Sequence, residues 1–181
     1  MRMLELRQRL FLAFTTLPDA GGWLFTLFLL AVFALATLLI LRFSKLFTFS
    51  ISELPRKHLL LLGLIAIFTP SLPEETLYRV LLLPHPGEAV ALENLLSASI
   101  VSLFLYVAAH PLLALVAWPW SRHIFYRPAF LLIVTLLGIA CTLAYVRTGS
   151  VWAPTLIHWA TIVGWKLFFG GPDFNLGKRV N

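Results

Sequence analysis

The chain has 181 residues, of which 60% are hydrophobic and 12% charged, with a formal net charge of +6. A soluble domain carries about 25% charged residues, and so small a chain has too much surface to cover with so few polar groups, so a water-soluble enzyme is excluded. The 15 Phe and 6 Trp exclude disorder, which leaves an integral membrane protein of one-domain length. The basic residues are scattered between apolar runs, as suits loops at a membrane surface rather than a nucleic-acid face.

Residues 1–18, MRMLELRQRLFLAFTTLP, mix Arg2, Arg7 and Arg9 with Leu and Phe. They read as an interfacial amphipathic segment rather than a signal peptide, whose apolar core is longer and ends in a small-x-small cleavage site. Ala20 to Leu41 is charge-free and meets the roughly 20 residues that a helix needs to cross a bilayer. The second span is irregular. His58 to Phe68 is apolar, but Thr69-Pro70-Ser71-Leu72-Pro73 follows, with Glu74 and Glu75 straight after. Proline removes a donor and disfavours helical geometry in the residue before it, while Pro73 suits the first turn of a new helix. The expectation is one broken span over 58–83, with its irregular backbone buried in protein or lining a cavity.

Leu95 to Ser121 is a third span, interrupted by His110 and Pro111, and Pro128 to Val146 is a fourth. Thr148 to Trp165 is a fifth, with His158 inside it. The fold class is therefore all-α, with about five transmembrane helices in a domain over 19–170 and a short polar tail at 171–181. The single cysteine, Cys141, allows neither an intrachain disulfide nor a cysteine-based metal cluster. It reads as a small buried hydrophobe. The loops at 42–57 and 119–128, together with the tail, carry Arg42, Lys45, Arg56, Lys57, Arg122, Arg127, Lys178 and Arg179. Only Arg2, Arg7, Arg9 and Arg147 stand opposite, so the positive-inside rule puts the C-terminus in the cytoplasm.

Ionisable groups within a membrane are costly and mark function by default. Glu75 and Arg79 are four apart, so they share a helix face and can pair. Glu74 is then left over, about 100° away, in a first turn whose free N–H groups and dipole favour a carboxylate. His110 and His158 stand on two further spans. A desolvated carboxylate is a general base nearer neutral pH, and histidines facing it can orient water or donate to a developing oxyanion. One Glu and two His could instead hold zinc with an open fourth position. Both routes activate water against a carbonyl. Two histidines on separate helices could also ligate haem, and Trp152, Trp159 and Trp165 around His158 could form an interfacial aromatic belt.

These residues resemble the CPBP family of CAAX-processing and bacteriocin-processing intramembrane proteases, also called Abi. Its EExxxR motif is met by Glu74-Glu75-Thr76-Leu77-Tyr78-Arg79, and its FxxxH motif by Tyr106-Val107-Ala108-Ala109-His110, with Tyr for Phe. Its HxxxN motif is met by His158 but departs at Ile162, where the family usually has Asn or Asp. The resemblance covers about 58–169. It implies an endopeptidase in which Glu74 activates water, His110 positions it and His158 serves the oxyanion, with Glu75, Arg79 and Tyr106 in support. No cofactor is favoured, although zinc on Glu74, His110 and His158 stays open. Implied partners are membrane lipid and a peptide or protein substrate, prenylated if the CAAX likeness extends that far. The implied location is the bacterial cytoplasmic membrane.

Isoleucine cannot donate to an oxyanion, and losing one such donor costs a factor of about 10²–10³ in rate. That departure motivates an alternative, a catalytically silent membrane binding or immunity protein of the same fold. Thr161 points about 100° away from Ile162 on a regular helix. Lys166, two turns after His158, reads either as a cation facing the site or, preferably, as a side chain snorkelling to the interface.

Overall fold

A computed structural model describes residues 5–88 and 90–169. Arg2, Lys178 and Arg179 lie outside those residues, as does the polar tail expected at 171–181. Among the described residues there are helices and no strand. They are α1 (Leu6–Thr15), α2 (Ala20–Ser44), α3 (Arg56–Ala66), α4 (Leu72–Glu75), α5 (Leu92–Val116), α6 (Arg122–Phe125), α7 (Pro128–Thr148) and α8 (Trp152–Phe168). A π-helical turn at Ile67–Ser71 links α3 to α4, and a second over Thr76–Leu81 continues α4. Four stretches are long and apolar enough to cross a membrane: α2, the composite Arg56–Leu81, α5 and α7. The fifth expected stretch forms α8, which is 17 residues long. The third starts and ends earlier than its charge-free run, because residues 119–121 turn in a 3-10 helix.

The expected break is present. Thr69 leaves helical geometry at φ −157°, ψ 110°, and the Thr69–Pro70 peptide is cis. Helix resumes at Leu72 with Pro73 in its first turn, where a missing N–H forfeits nothing.

α7 is the central helix: half of its most apolar stretch is buried, against 17% for each of the other three candidate spans. Lipid tails are as apolar as leucine, so helices associate in a bilayer through close packing rather than the hydrophobic effect, and small residues at the contact let backbones approach. α7 offers Ala140, Cys141 and Ala144, which pack with Ala153 and Ile157 of α8 and with Leu29 and Phe33 of α2. Gly138 serves the same end. A Cβ there would lie 2.5 Å from Leu103 Cδ1 and 3.1 Å from Tyr106 Cδ1, both on α5. The outer face of α2 presents Leu24, Phe28, Leu35 and Leu39 outwards, as a lipid-facing surface requires.

The N-terminal segment is helical and is tied to the bundle. Val151 donates its N–H to the Ala13 carbonyl at 3.0 Å, and the Trp152 indole donates to the Phe14 carbonyl at 3.0 Å. Arg9 of α1 donates to Glu88 Oε2 at 2.7 Å. Glu88 in turn accepts from the His85 backbone N–H at 2.8 Å. His85 Nδ1 accepts from the Gly87 N–H at 3.0 Å, so the neutral ring carries its proton on Nε2, which donates to the Gly149 carbonyl at 3.2 Å. Gly149 closes α7 in the left-handed region at φ 65°. There a Cβ would also meet His85 Nε2 at 2.9 Å.

Burial, together with the nearby Arg9 cation, holds the proton affinity of His85 below the ordinary histidine range; the Gly149 carbonyl and Glu88 act the other way. A histidine neutral in the fold and freer to protonate when unfolded stabilises fully above the unfolded value. That stability is lost as pH falls towards the folded value. The thermal midpoint of the full chain in detergent should therefore fall between about pH 7.5 and about pH 5.5. His85→Gln should flatten part of that slope, and an unchanged slope in the variant would show that this ring is not responsible.

Candidate functional site

Glu75 and Arg79 lie one turn apart on the second half of the broken span, and both are 0% exposed. Arg79 Nε sits 3.1 Å from Glu75 Oε2, as the spacing predicted. The guanidinium also donates through Nη2 to the Gly138 carbonyl of α7 at 3.1 Å, and it lies over the Tyr106 ring of α5, 4.6 Å from the centroid. Such a cation over an aromatic face is attracted by the ring quadrupole.

The other oxygen of Glu75 has a partner that spacing could not reveal. His158 Nδ1 stands 2.7 Å from Glu75 Oε1. A carboxylate there only accepts, so Nδ1 donates. This turns His158 Nε2 towards Glu74, whose Oε2 is 3.9 Å away. His158 therefore stands between the two glutamates. Glu75 belongs to the sealed ion pair, whereas the Glu74 side chain keeps 25% of its surface accessible.

His110 lies on α5 one turn after Tyr106 and packs edge-on against that ring. Its Nδ1 is 3.0 Å from the Tyr106 carbonyl, to which it donates, so the neutral ring leaves Nε2 as an acceptor. Phe125 and Phe130, stacked on each other, flank the imidazole. Tyr106 is buried between both histidines.

Glu74, Tyr106, His110 and His158 all line one cavity of about 430 Å³. The remainder of its wall is mostly apolar and comes from α2, α7, α8 and the loops beyond them, down to Phe47, Trp118 and Phe169. One stripe of α8 faces it: His158, Ile162 and Lys166, at successive turns and 4%, 9% and 8% exposed. Ile162 thus sits in the cavity wall, and the neighbouring Thr161, which also lines the cavity, donates its hydroxyl to the Ile157 carbonyl at 2.8 Å. The snorkelling expected of Lys166 does not occur. Its side chain is held inside the bundle, against the cavity, rather than reaching the interface. Among the described residues no three His, Cys, Asp or Glu side chains are grouped so as to hold a metal ion.

The site thus holds two adjacent glutamates, one sealed against Arg79 and one facing a cavity shared with histidines from two other helices. A family model described as type II CAAX prenyl endopeptidase Rce1-like matches residues 56–163. The chain belongs to this family. Membership indicates a CAAX-type intramembrane peptidase, a multi-pass membrane protein whose substrate is a peptide or protein. Neither the curated proteins nor the solved structures compared with the chain gave a significant match. The Rce1-like region holds Glu74, Glu75, Arg79, Tyr106, His110, His158 and Ile162, and it stops three residues before Lys166.

Sequence reading missed the Gly138 carbonyl as a partner for Arg79 and the grip of Glu75 on His158. The first left a faint signal, a glycine at the head of the small-residue stretch of α7. The second left none, since 83 residues separate the partners. Removing one member of a buried ion pair strands the other, at about 3–5 kcal/mol, whereas a neutral isostere at the accessible glutamate changes stability by no more than about 0.5 kcal/mol. Glu75→Ala and Arg79→Ala should thus each lower the thermal midpoint in detergent markedly, and Glu74→Gln should leave it in place. Equal losses from all three would contradict this division between the glutamates.

Proposed function

We propose that the protein is an intramembrane endopeptidase that cleaves a membrane-associated, prenylated peptide with a water molecule activated by Glu74, without a metal ion. The observation that carries this reading is the single cavity into which Glu74, His110 and His158 all open while Glu75 and Arg79 are sealed behind them. Glu74 takes a proton from water as the oxygen attacks the scissile carbonyl. The C–O bond forms and the carbonyl becomes an oxyanion. Glu74 then passes the proton to the departing amine nitrogen as the C–N bond breaks. His110 accepts from the water through Nε2 and so points a lone pair at the carbonyl. His158, anchored by Glu75 at Nδ1, presents Nε2 on the Glu74 side of the cavity, where its protonated form donates to the oxyanion.

The metal-free form is favoured because, among the described residues, no three His, Cys, Asp or Glu side chains are grouped so as to hold a metal ion. The apolar cavity wall suits an isoprenoid chain. The wall extends to Phe47 and Trp118, in the loops that carry the basic residues, so the site opens to the cytoplasmic face of what is, by the bacteriocin-processing likeness, a bacterial membrane.

Ile162 supports a second reading, a silent binding or immunity protein using the same cavity. One comparison separates the two. Released peptides from membranes carrying wild-type protein or Glu74→Gln are identified by mass spectrometry at equal expression. The peptidase predicts products with wild type only, and turnover of a purified peptide should fall by about 10²–10⁴-fold in the variant. Ile162→Asn should raise turnover by restoring a donor. Identical profiles from both membranes would favour the silent protein.

A further inference from the structure

Resting on the peptidase reading above, we propose that Tyr106 is a catalytic residue whose phenolic O–H donates a second hydrogen bond to the oxyanion, beside His158. Buried polar groups in native proteins almost always have a partner, and one without calls for an explanation. Among the described residues, three with a buried polar atom lacking any hydrogen-bond partner line the cavity: Thr37 through Oγ1, Tyr106 through its hydroxyl and Trp165 through Nε1. Of these, Tyr106 is the one that packs on both histidines, its ring centroid 5.2 Å from that of His110 and 6.1 Å from that of His158. It is also 0% exposed. Both glutamates act electrostatically on its hydroxyl, Glu74 the more strongly. The idle donor thus stands in the midst of the groups to which the reaction is assigned.

An oxyanion donor works by being in place before the charge develops, so that nothing reorganises at the moment of reaction. The Tyr106 ring meets that condition. The Arg79 guanidinium lies over it, 4.6 Å from the centroid, and the Tyr78 ring meets it edge-on at 5.2 Å. Gly138 of α7 lies so close that a Cβ there would be 3.1 Å from Tyr106 Cδ1. Relative to the FxxxH and HxxxN motifs, position 106 gains a hydroxyl and position 162 loses a donor. Both residues line the same cavity, so the two departures offset each other at one site. The phenol keeps its proton throughout. Its hydrogen bond strengthens as the carbonyl oxygen takes on charge, and no bond within Tyr106 forms or breaks.

The test uses the full chain in detergent and a fluorophore-labelled peptide in which an S-farnesylcysteine is followed by aliphatic residues. Tyr106→Phe removes one oxygen that has no partner in the resting fold, so the thermal midpoint should hold or rise. The same change should lower kcat by about 10²–10³-fold with KM unchanged. A phosphinate isostere of the peptide, whose tetrahedral anion imitates the intermediate, should bind the variant about 10- to 100-fold more weakly than wild type. The plain peptide, measured by fluorescence polarisation on a Glu74→Gln background, should bind equally with Tyr or Phe at position 106. Ile162→Asn should raise kcat by a larger factor in Tyr106→Phe than in wild type, because its donor then enters an emptier site; equal factors would overturn a shared oxyanion.

The two proposals fail in different ways. Cleavage by wild type with kcat intact in Tyr106→Phe overturns the Tyr106 donor and leaves the peptidase standing. Absence of cleavage by wild type itself overturns the peptidase, and the donor with it. A thermal midpoint that falls in Tyr106→Phe, a variant that does not fold, or equal weakening of the phosphinate and the plain peptide marks the hydroxyl as structural and overturns the proposal.

Discussion

An ionised side chain in the interior of a membrane protein must be compensated, because neither lipid nor packed protein solvates it. Glu75 and Arg79 meet that requirement together, and the way they meet it organises the bundle. Arg79 reaches α7 through the Gly138 carbonyl and α5 through the Tyr106 ring, while Glu75 reaches α8 through His158. One ion pair on the broken span thus touches three other helices. Buried ion pairs are weak evidence for net stability when compared with apolar isosteres. Their value here is register: a shift of α8 by one residue would move His158 about 100° away from Glu75 and leave the carboxylate short of a donor.

That pair needs its own helix to begin inside the bundle, which is what the break at Thr69 provides. A continuous helix through 56–81 would place Glu74 and Glu75 in mid-span, where every backbone N–H is engaged. Restarting at Leu72 puts both in a first turn, where free N–H groups and the helix dipole favour negative charge. The π-helical turns that follow leave backbone groups outside the usual pattern, and one of these, the Tyr78 carbonyl, takes the hydroxyl of Ser102 on α5. π-turns inside helices are frequent at functional sites. The effect is to send neighbouring residues to opposite fates, Glu75 into the sealed core and Glu74 to the cavity.

Much of this was legible in the chain. Charge-free runs located α2, α5, α7 and α8, because a bilayer filters composition over about 20 residues, and prolines marked the break because their chemistry is local. The Glu75–Arg79 pair followed from helical spacing alone. What the sequence did not show was anything that depends on how helices are set against one another. The contact of Glu75 with His158 joins α4 to α8, and the inward turn of Lys166 depends on what covers its face of α8. The same holds for α1, whose pattern of Arg with Leu and Phe marks an amphipathic helix but not that Arg9 engages Glu88 across 79 residues.

The stripe on α8 bears most directly on chemistry. His158, Ile162 and Lys166 follow one another at single-turn intervals along the cavity, polar at both ends and apolar between. In the proposed reaction an asparagine at the middle position would have given the oxyanion a neutral donor. With isoleucine there, the burden falls on His158, and Glu75 is what makes His158 fit for it, since a ring held at Nδ1 by a carboxylate is fixed in orientation with Nε2 on the Glu74 side. In that proposed reaction Glu75, which takes no part in water activation, positions the histidine that serves the oxyanion.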